Sequence, residues 1–171
     1  MFAAITAAYN GQEVLLLERN ACLGKKLLII GKGRFNLIYG CSEQEVLQNT
    51  PRNGRFLYSA MTAFPPVRAK QFFEENGCPL KTERGNRVFP VSDKSQSVLE
   101  CLQRQLRRQN VTVKTARVKE ILTEEGRVTG VRTQNETYDC PCVILATGGA
   151  SYPTTGSTGD GYAMARLLGH T

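Results

Sequence analysis

Apolar and polar positions along this chain fall into short blocks of differing period. Residues 1–9 are alanine-rich and apolar, and Asn10-Gly11 supplies a stop, which predicts a helix. Val14 to Leu17 form an unbroken apolar run between Glu13 and Glu18, a pattern that predicts a short buried strand ending in an acid. Residues 27–30 are apolar and read as a strand leading into the turn Gly31-Lys32-Gly33, and the polar stretch 41–55 reads as a loop. Residues 56–64 and 67–76 predict two helices, separated by Pro65-Pro66 and closed by Gly77. Residues 78–82 and 86–90 predict a hairpin around Glu83-Arg84-Gly85. A longer helix follows, capped by Ser92 or Asp93 and reaching about Gln109. Asp93 and Gln96 have capping-box spacing, and Val98, Leu99, Leu102 and Leu106 make the buried stripe. Residues 111–114 then predict a strand, and 117–123, 127–133 and 136–140 a β-meander turning at Glu125-Gly126 and Gln134-Asn135. Val143 to Ala146 read as another buried strand, running into Thr147-Gly148-Gly149. Thr158-Gly159-Asp160-Gly161 precede a helix over 162–168.

The order of these blocks suggests chemistry. A strand that stops on small residues, followed by Gly-Asp-Gly at a helix start, suits an anionic or hydroxyl-rich ligand approached closely by backbone. In dinucleotide-binding folds an acid placed like Glu18 accepts hydrogen bonds from a ribose. The segment from Gly24 to Asn36 offers lysines, glycines and Arg34, which suit a diphosphate. A nucleotide-binding βαβ unit begins with a strand and a glycine turn ahead of its helix. Here residue 1 already belongs to the helix, so that strand and turn are expected to be missing and the domain truncated.

With 171 residues, 41% of them hydrophobic, the chain is expected to form one domain with a small insertion. Its 22 basic and 15 acidic residues give +7, which suits an anionic partner or a solvated basic surface equally. Arg104, Arg107 and Arg108 cluster without interleaved aromatics, weak grounds for nucleic-acid binding. The six cysteines lack metal-ligand spacing, and Cys140-Pro141-Cys142 is not a CxxC. They read as reduced thiols of a cytoplasmic protein with no metal site. Phe2 to Ala8 lacks the basic flank of a signal sequence, and no stretch has the length of a membrane span. The single histidine, His170, supports no nucleophilic triad.

Several ordered pieces together resemble the HI0933-like family of NAD(P)- and FAD-dependent oxidoreductases, in its N-terminal FAD-binding part. They are Ala4-Ile5-Thr6-Ala7-Ala8, Leu16-Leu17-Glu18-Arg19, Gly24 to Ile29, Arg87-Val88-Phe89-Pro90, Ala146-Thr147-Gly148-Gly149 through Thr158-Gly159-Asp160-Gly161-Tyr162, and Gly169-His170. The resemblance implies an α/β, Rossmann-like FAD-binding domain with a parallel sheet, a β-meander over 117–140 and a helical and hairpin insertion over 40–110. It lacks the first strand and the Gly-rich loop and appears truncated at both ends. It implies FAD as cofactor, NAD(P)H as possible electron donor, and hydride transfer to a small-molecule substrate. It also admits reduction of uracil in ribosomal RNA; a further alternative is a non-catalytic fragment that holds no stable cofactor. The cofactor-binding candidates are Glu18, Arg19, Lys25, Gly31, Gly33, Arg34, Asn36, Val118, Ala146, Thr147, Gly148, Gly149, Gly159, Asp160 and Gly161. Val118 is placed to meet an adenine through its backbone, or is a meander core valine; Asp160 is a flavin contact or a helix N-cap. Tyr152 reads as a cover for the core.

The family pattern runs Gly-Gly-Gly-Arg-Cys-Asn where this chain has Gly31-Lys32-Gly33-Arg34-Phe35-Asn36. A lysine at position 32 is expected to cost about 1 kcal/mol if the turn requires positive φ there. With the glycine turn missing, the expectation is weak FAD affinity.

Overall fold

The computed structural model describes residues 1–170. In chain order the elements are α1 (Phe2–Tyr9), β1 (Leu15–Glu18), α2 (Lys25–Ile29), β2 (Ile38–Tyr39), α3 (Glu43–Gln48), α4 (Tyr58–Ala63), α5 (Pro66–Glu75) and β3 (Leu80–Glu83). They continue with β4 (Arg87–Pro90), α6 (Ser95–Arg108), β5 (Thr112–Thr115), β6 (Val118–Glu124), β7 (Arg127–Thr133), β8 (Thr137–Asp139) and α7 (Asp160–Leu167). The chain divides into two compact units, one of Met1–Lys26 with Leu106 onward and one of Leu27–Gln105.

The first unit holds the parallel sheet. β1 and β5 pair in parallel, Leu15 opposite Thr112 and Glu18 opposite Thr115. The Thr112 amide donates to the Val14 carbonyl (3.1 Å) and Ala116 to Glu18 (2.9 Å), extending the ladder at both ends. α1 buries Ala4 and Ile5 and stops at Asn10, with Gly11 at φ 81°. β6, β7 and β8 form an antiparallel meander in that order. Glu125 (φ 49°) and Gly126 (φ 77°) make its first turn, the left-handed pair that a tight hairpin requires.

The expected strand at Val143 does not form. The segment joins no ladder among the described residues, and Ile144 (65% exposed) and Leu145 (39%) are not buried. Apolar side chains alone do not make a strand, because its amides and carbonyls need a paired neighbour. Among the described residues, the parallel sheet of this unit has β1 and β5 only.

The second unit is built on an antiparallel sheet of order β2-β4-β3. Val88 and Phe89 of the central strand are 0% and 4% exposed. They share a core with Phe73, Cys78, Leu80 and the α6 stripe of Val98, Leu99, Cys101 and Leu102. Burial of this kind pushes the Cys78 thiol up to about 11, with the neighbouring Cys101 adding to the shift.

Three local expectations need correction here. The polar stretch after Cys41 contains α3. Ser42 Oγ accepts from the Glu45 amide (3.2 Å) while the Glu45 carboxylate accepts from the Ser42 amide (2.8 Å), a capping box that polarity concealed. Asp93 does not cap α6. It sits at φ 56°, and its carboxylate accepts instead from Lys81 Nζ (2.6 Å) and Arg34 Nε (2.8 Å). Charged donors outcompete backbone amides for a carboxylate. The apolar run 27–30 is helical, since α2 passes into a 3-10 turn over Ile30–Gly33.

That turn contains the lysine for which strain was expected. Lys32 has φ 55° and ψ 39°, between Gly31 (φ 63°) and Gly33 (φ 83°), and Phe35 follows at φ 60°. Left-handed backbone brings a Cβ too close to the following carbonyl. Lys32→Gly should therefore raise stability by about 0.5–1 kcal/mol after the added freedom of the unfolded chain is deducted. Urea unfolding checks this. A lower midpoint in the variant would show that the lysine side chain contributes more than its backbone strain costs.

Candidate functional site

The first unit gathers polar groups at the C-terminal end of β1. Glu18 closes that strand, and its Oε1 accepts from both the backbone amide and Nδ2 of Asn20, each at 2.8 Å. Asn20 also donates to the Thr155 carbonyl (3.4 Å), tying the β1 turn to the loop ahead of α7. The amino group of Met1, its pKa lowered by burial, feels the opposing pull of the Glu18 charge.

Arg19 turns toward the same loop. Its Nη1 donates to Thr158 Oγ1 (2.6 Å), Asp160 Oδ2 (3.1 Å) and the Gly156 carbonyl (3.4 Å). Arg117 approaches Asp160 Oδ2 from the junction of β5 and β6, through Nε (3.1 Å) and Nη2 (2.9 Å). Thr158 Oγ1 donates to the other oxygen, Asp160 Oδ1, at 2.7 Å. The Thr158 hydroxyl, with help from the two arginines, holds the Asp160 carboxyl below its ordinary value of 3.8. A depressed carboxylate contributes stability that is complete above its unfolded pKa and is lost as pH falls through the folded value. Asp160→Asn should accordingly flatten the acid limb of the stability curve below about pH 4. Thermal melts from pH 2 to 7 measure this; an unchanged acid limb would remove Asp160 as its source.

Asp160 is the first residue of α7, whose N-cap is Gly159 at φ 78°. The glycines around it allow close approach. A Cβ on Gly161 would lie 2.3 Å from Thr147 Oγ1, one on Gly149 3.2 Å from Tyr162 Oη, and one on Gly148 3.4 Å from Ser157 Oγ. One on Gly156 would lie 2.8 Å from Asn20 Nδ2. Segments 145–149 and 156–161 are therefore interlocked through missing side chains. Between Leu145–Gly148 and the α7 residues Gly161, Tyr162 and Ala165 runs an open groove of about 460 Å³.

Lys26, rather than the exposed Lys25, reaches this loop. Its Nζ donates to Ser151 Oγ (3.1 Å), the Ser151 carbonyl (3.3 Å) and the buried Ser157 Oγ (3.3 Å). Tyr152 does not cover the core: it is 66% exposed, at φ 57° and ψ 65°. Val118 opens β6 opposite Thr133.

Gly31, Gly33, Arg34 and Asn36 belong to the second unit. There Arg34 Nη2 donates to Glu83 Oε1 (2.5 Å) and to Asp93, and its guanidinium stacks 4.2 Å from the centre of the Phe89 ring. Asn36 Oδ1 is buried with no hydrogen-bond partner among the described residues. Sequence reasoning missed Asn20, Lys26, Arg117 and Thr158. All four stand next to residues it chose, Arg19, Lys25, Val118 and Gly159, and that proximity was the available signal.

Among the described residues, no helix is long and apolar enough to cross a membrane, and no group of His, Cys, Asp or Glu is arranged to hold a metal ion.

A parallel strand pair with an acid at its end, and a glycine-lined loop closing on a helix start, are parts of a Rossmann-type domain. The chain matches the model of the HI0933-like protein Rossmann domain over residues 1–171 and belongs to that family. It is 34% identical, over 99% of its length, to a 3-dehydro-bile acid delta(4,6)-reductase of Clostridium scindens, covering 41% of that protein. It is 26% identical to the ribosomal RNA dihydrouridine synthase of Escherichia coli, covering 99% of this chain and 42% of that one. The chain thus spans about two fifths of the length of these curated relatives. Among solved structures, Mycobacterium smegmatis Sdh1 in complex with UQ1 shares the fold. Its TM-score is 0.61 at 19% identity, over 96% of this chain and 36% of that one. The Sdh1 complex in the apo form gives 0.59 at 17%, with the same coverage.

Proposed function

We propose that this chain is the FAD-holding part of a flavin-dependent reductase, in which hydride passes from NAD(P)H through the flavin to a small unsaturated substrate. The observation that carries the reading is the interlock of Thr147-Gly148-Gly149 with Gly159-Asp160-Gly161 beside Glu18. The residues fit part of a dinucleotide: the open groove of about 460 Å³ runs along Ala146, Thr147 and Gly148 to Gly161, and the packing of the glycines against the facing segment keeps side chains out of it. The two bonds from Asn20 engage one Glu18 oxygen. FAD, when bound, supplies two-electron hydride chemistry. In this reading Glu18 accepts from the ribose, Val118 meets the adenine through its backbone, Arg19 is a further cofactor contact, and Ala146 to Gly149 with Gly159 to Gly161 admit the flavin end. Lys25, Gly31, Gly33, Arg34 and Asn36 are carried as further cofactor contacts from the family pattern.

The reductase named among the relatives supports a small-molecule substrate. A second reading, reduction of uracil in ribosomal RNA, is favoured by the relatives named ribosomal RNA dihydrouridine synthase and by the charge of +7. Free thiols among the described cysteines suit a cytoplasmic setting. Ligand released from the purified protein by denaturation and identified by mass spectrometry tests the cofactor class. Any dinucleotide so released is expected to be FAD; a nicotinamide nucleotide alone would contradict the proposal.

A further inference from the structure

Two guanidinium groups converge on a single carboxylate oxygen in the first unit. Arg19 and Arg117 both bond Asp160 Oδ2, and each side chain keeps solvent access, 29% and 47% against 24% for Asp160. No second carboxylate is paired with either arginine among the described residues, so the two guanidinium groups share one anionic partner. A planar guanidinium presents paired donors that match phosphate oxygens, and a phosphate offers more charge and more acceptors than a carboxylate. The three groups come from three elements: the end of β1, the β5–β6 junction and the first turn of α7. They lie beside Glu18 and the glycine-lined loop, where a nucleotide would meet the domain.

We propose that Arg19 and Arg117 form a phosphate clamp, with Asp160 as the internal counter-ion that an incoming phosphate displaces. The ligand chemistry is a phosphate or diphosphate anion. As the diphosphate of a dinucleotide it rests on the FAD reading above; as a free anion it does not. Displacement also releases the Asp160 carboxylate to accept hydrogen bonds from a hydroxyl-rich ligand. Arg117 is the new binding residue, marked in the sequence only by standing next to Val118.

The clamp and the counter-ion make opposite predictions for two substitutions. In calorimetric titration of the chain with inorganic pyrophosphate at low salt, Arg117→Ala should weaken binding by about 10-fold or more, as for the loss of charged hydrogen bonds. Arg117→Lys should recover only part of it, because a point charge lacks the fork. Asp160→Asn should instead tighten binding, by roughly 3-fold or more, since it removes the competing anion. Melting curves confirm that each variant is folded. Weakening by Asp160→Asn, or no pyrophosphate binding by the unaltered chain, would overturn the clamp. Parallel titrations with FAD and with uncharged riboflavin separate the two proposals. FAD binding that ignores Arg117→Ala leaves the cofactor reading standing and removes the clamp. Pyrophosphate binding that depends on Arg117, with no response to FAD, keeps the clamp and removes the cofactor reading.

Discussion

Phe89→Ala should cost about 3–5 kcal/mol of stability, the range for truncating a buried aromatic side chain. Phe89 lies on the central strand of the β2-β4-β3 sheet and is 4% exposed. Its neighbours are among the most buried residues of the chain, Val88 and Val98 at 0%. A close-packed interior of this kind relaxes only partly into a cavity. Arg34 and Arg87 also place their guanidinium carbons 4.2 and 5.9 Å from the ring centre. Cation–π attraction near the surface adds about 0.5–1 kcal/mol, so most of the loss is packing. Phe89→Leu separates the two contributions, because it keeps apolar volume and removes the ring. A single domain has only about 5–15 kcal/mol in hand, so Phe89→Ala should shift the urea midpoint strongly. A shift no larger than that of Phe89→Leu would mean that the ring itself, not the core volume, holds the sheet.

In a full-length version of the protein, Glu18→Ala should weaken FAD binding by about 1–3 kcal/mol, roughly 5- to 150-fold in Kd. The carboxylate ends β1, and Asn20 fixes its orientation through two bonds at 2.8 Å. Removing it also releases the Asn20 turn, which touches the Thr155 carbonyl at 3.4 Å. Glu18→Gln is the control, since an amide oxygen still accepts from Asn20 while the charge is lost. Flavin-fluorescence titration of the three proteins gives the affinities. Equal affinities would remove Glu18 from the ribose position.

Most of the fold was legible because its elements carry local signals. The α6 stripe is unambiguous in period, and Val98, Leu99, Leu102 and Leu106 are indeed 0–6% exposed. The meander shows itself by Glu125-Gly126, where the backbone must turn left-handed. Errors arose where a residue's partner is distant in sequence. Asp93 has the spacing of a cap, yet Lys81 and Arg34 claim it across twelve and fifty-nine positions. Val143 to Ala146 have the composition of a strand, but composition cannot supply a ladder neighbour.

At the candidate site the same division holds. Glu18 and the paired glycine motifs follow from pattern, because a close backbone approach demands glycine wherever it occurs. Arg117 has no such mark. Its role depends on the β5–β6 junction bringing it to Asp160, forty-three positions later. Lys26 was passed over for Lys25, since adjacent helical residues differ in direction by about a quarter turn and sequence does not say which one faces the loop.

The most direct test of the flavin-site reading is amide chemical-shift mapping of the isotope-labelled chain during titration with FAD, beside an equal titration with NADP. It detects weak as well as tight binding. The account predicts saturable shifts with FAD at Glu18, Arg19, Asn20, Thr147 to Gly149 and Gly159 to Gly161, and smaller ones with NADP. Shifts with FAD confined to other residues, or a response to NADP and none to FAD, would contradict it.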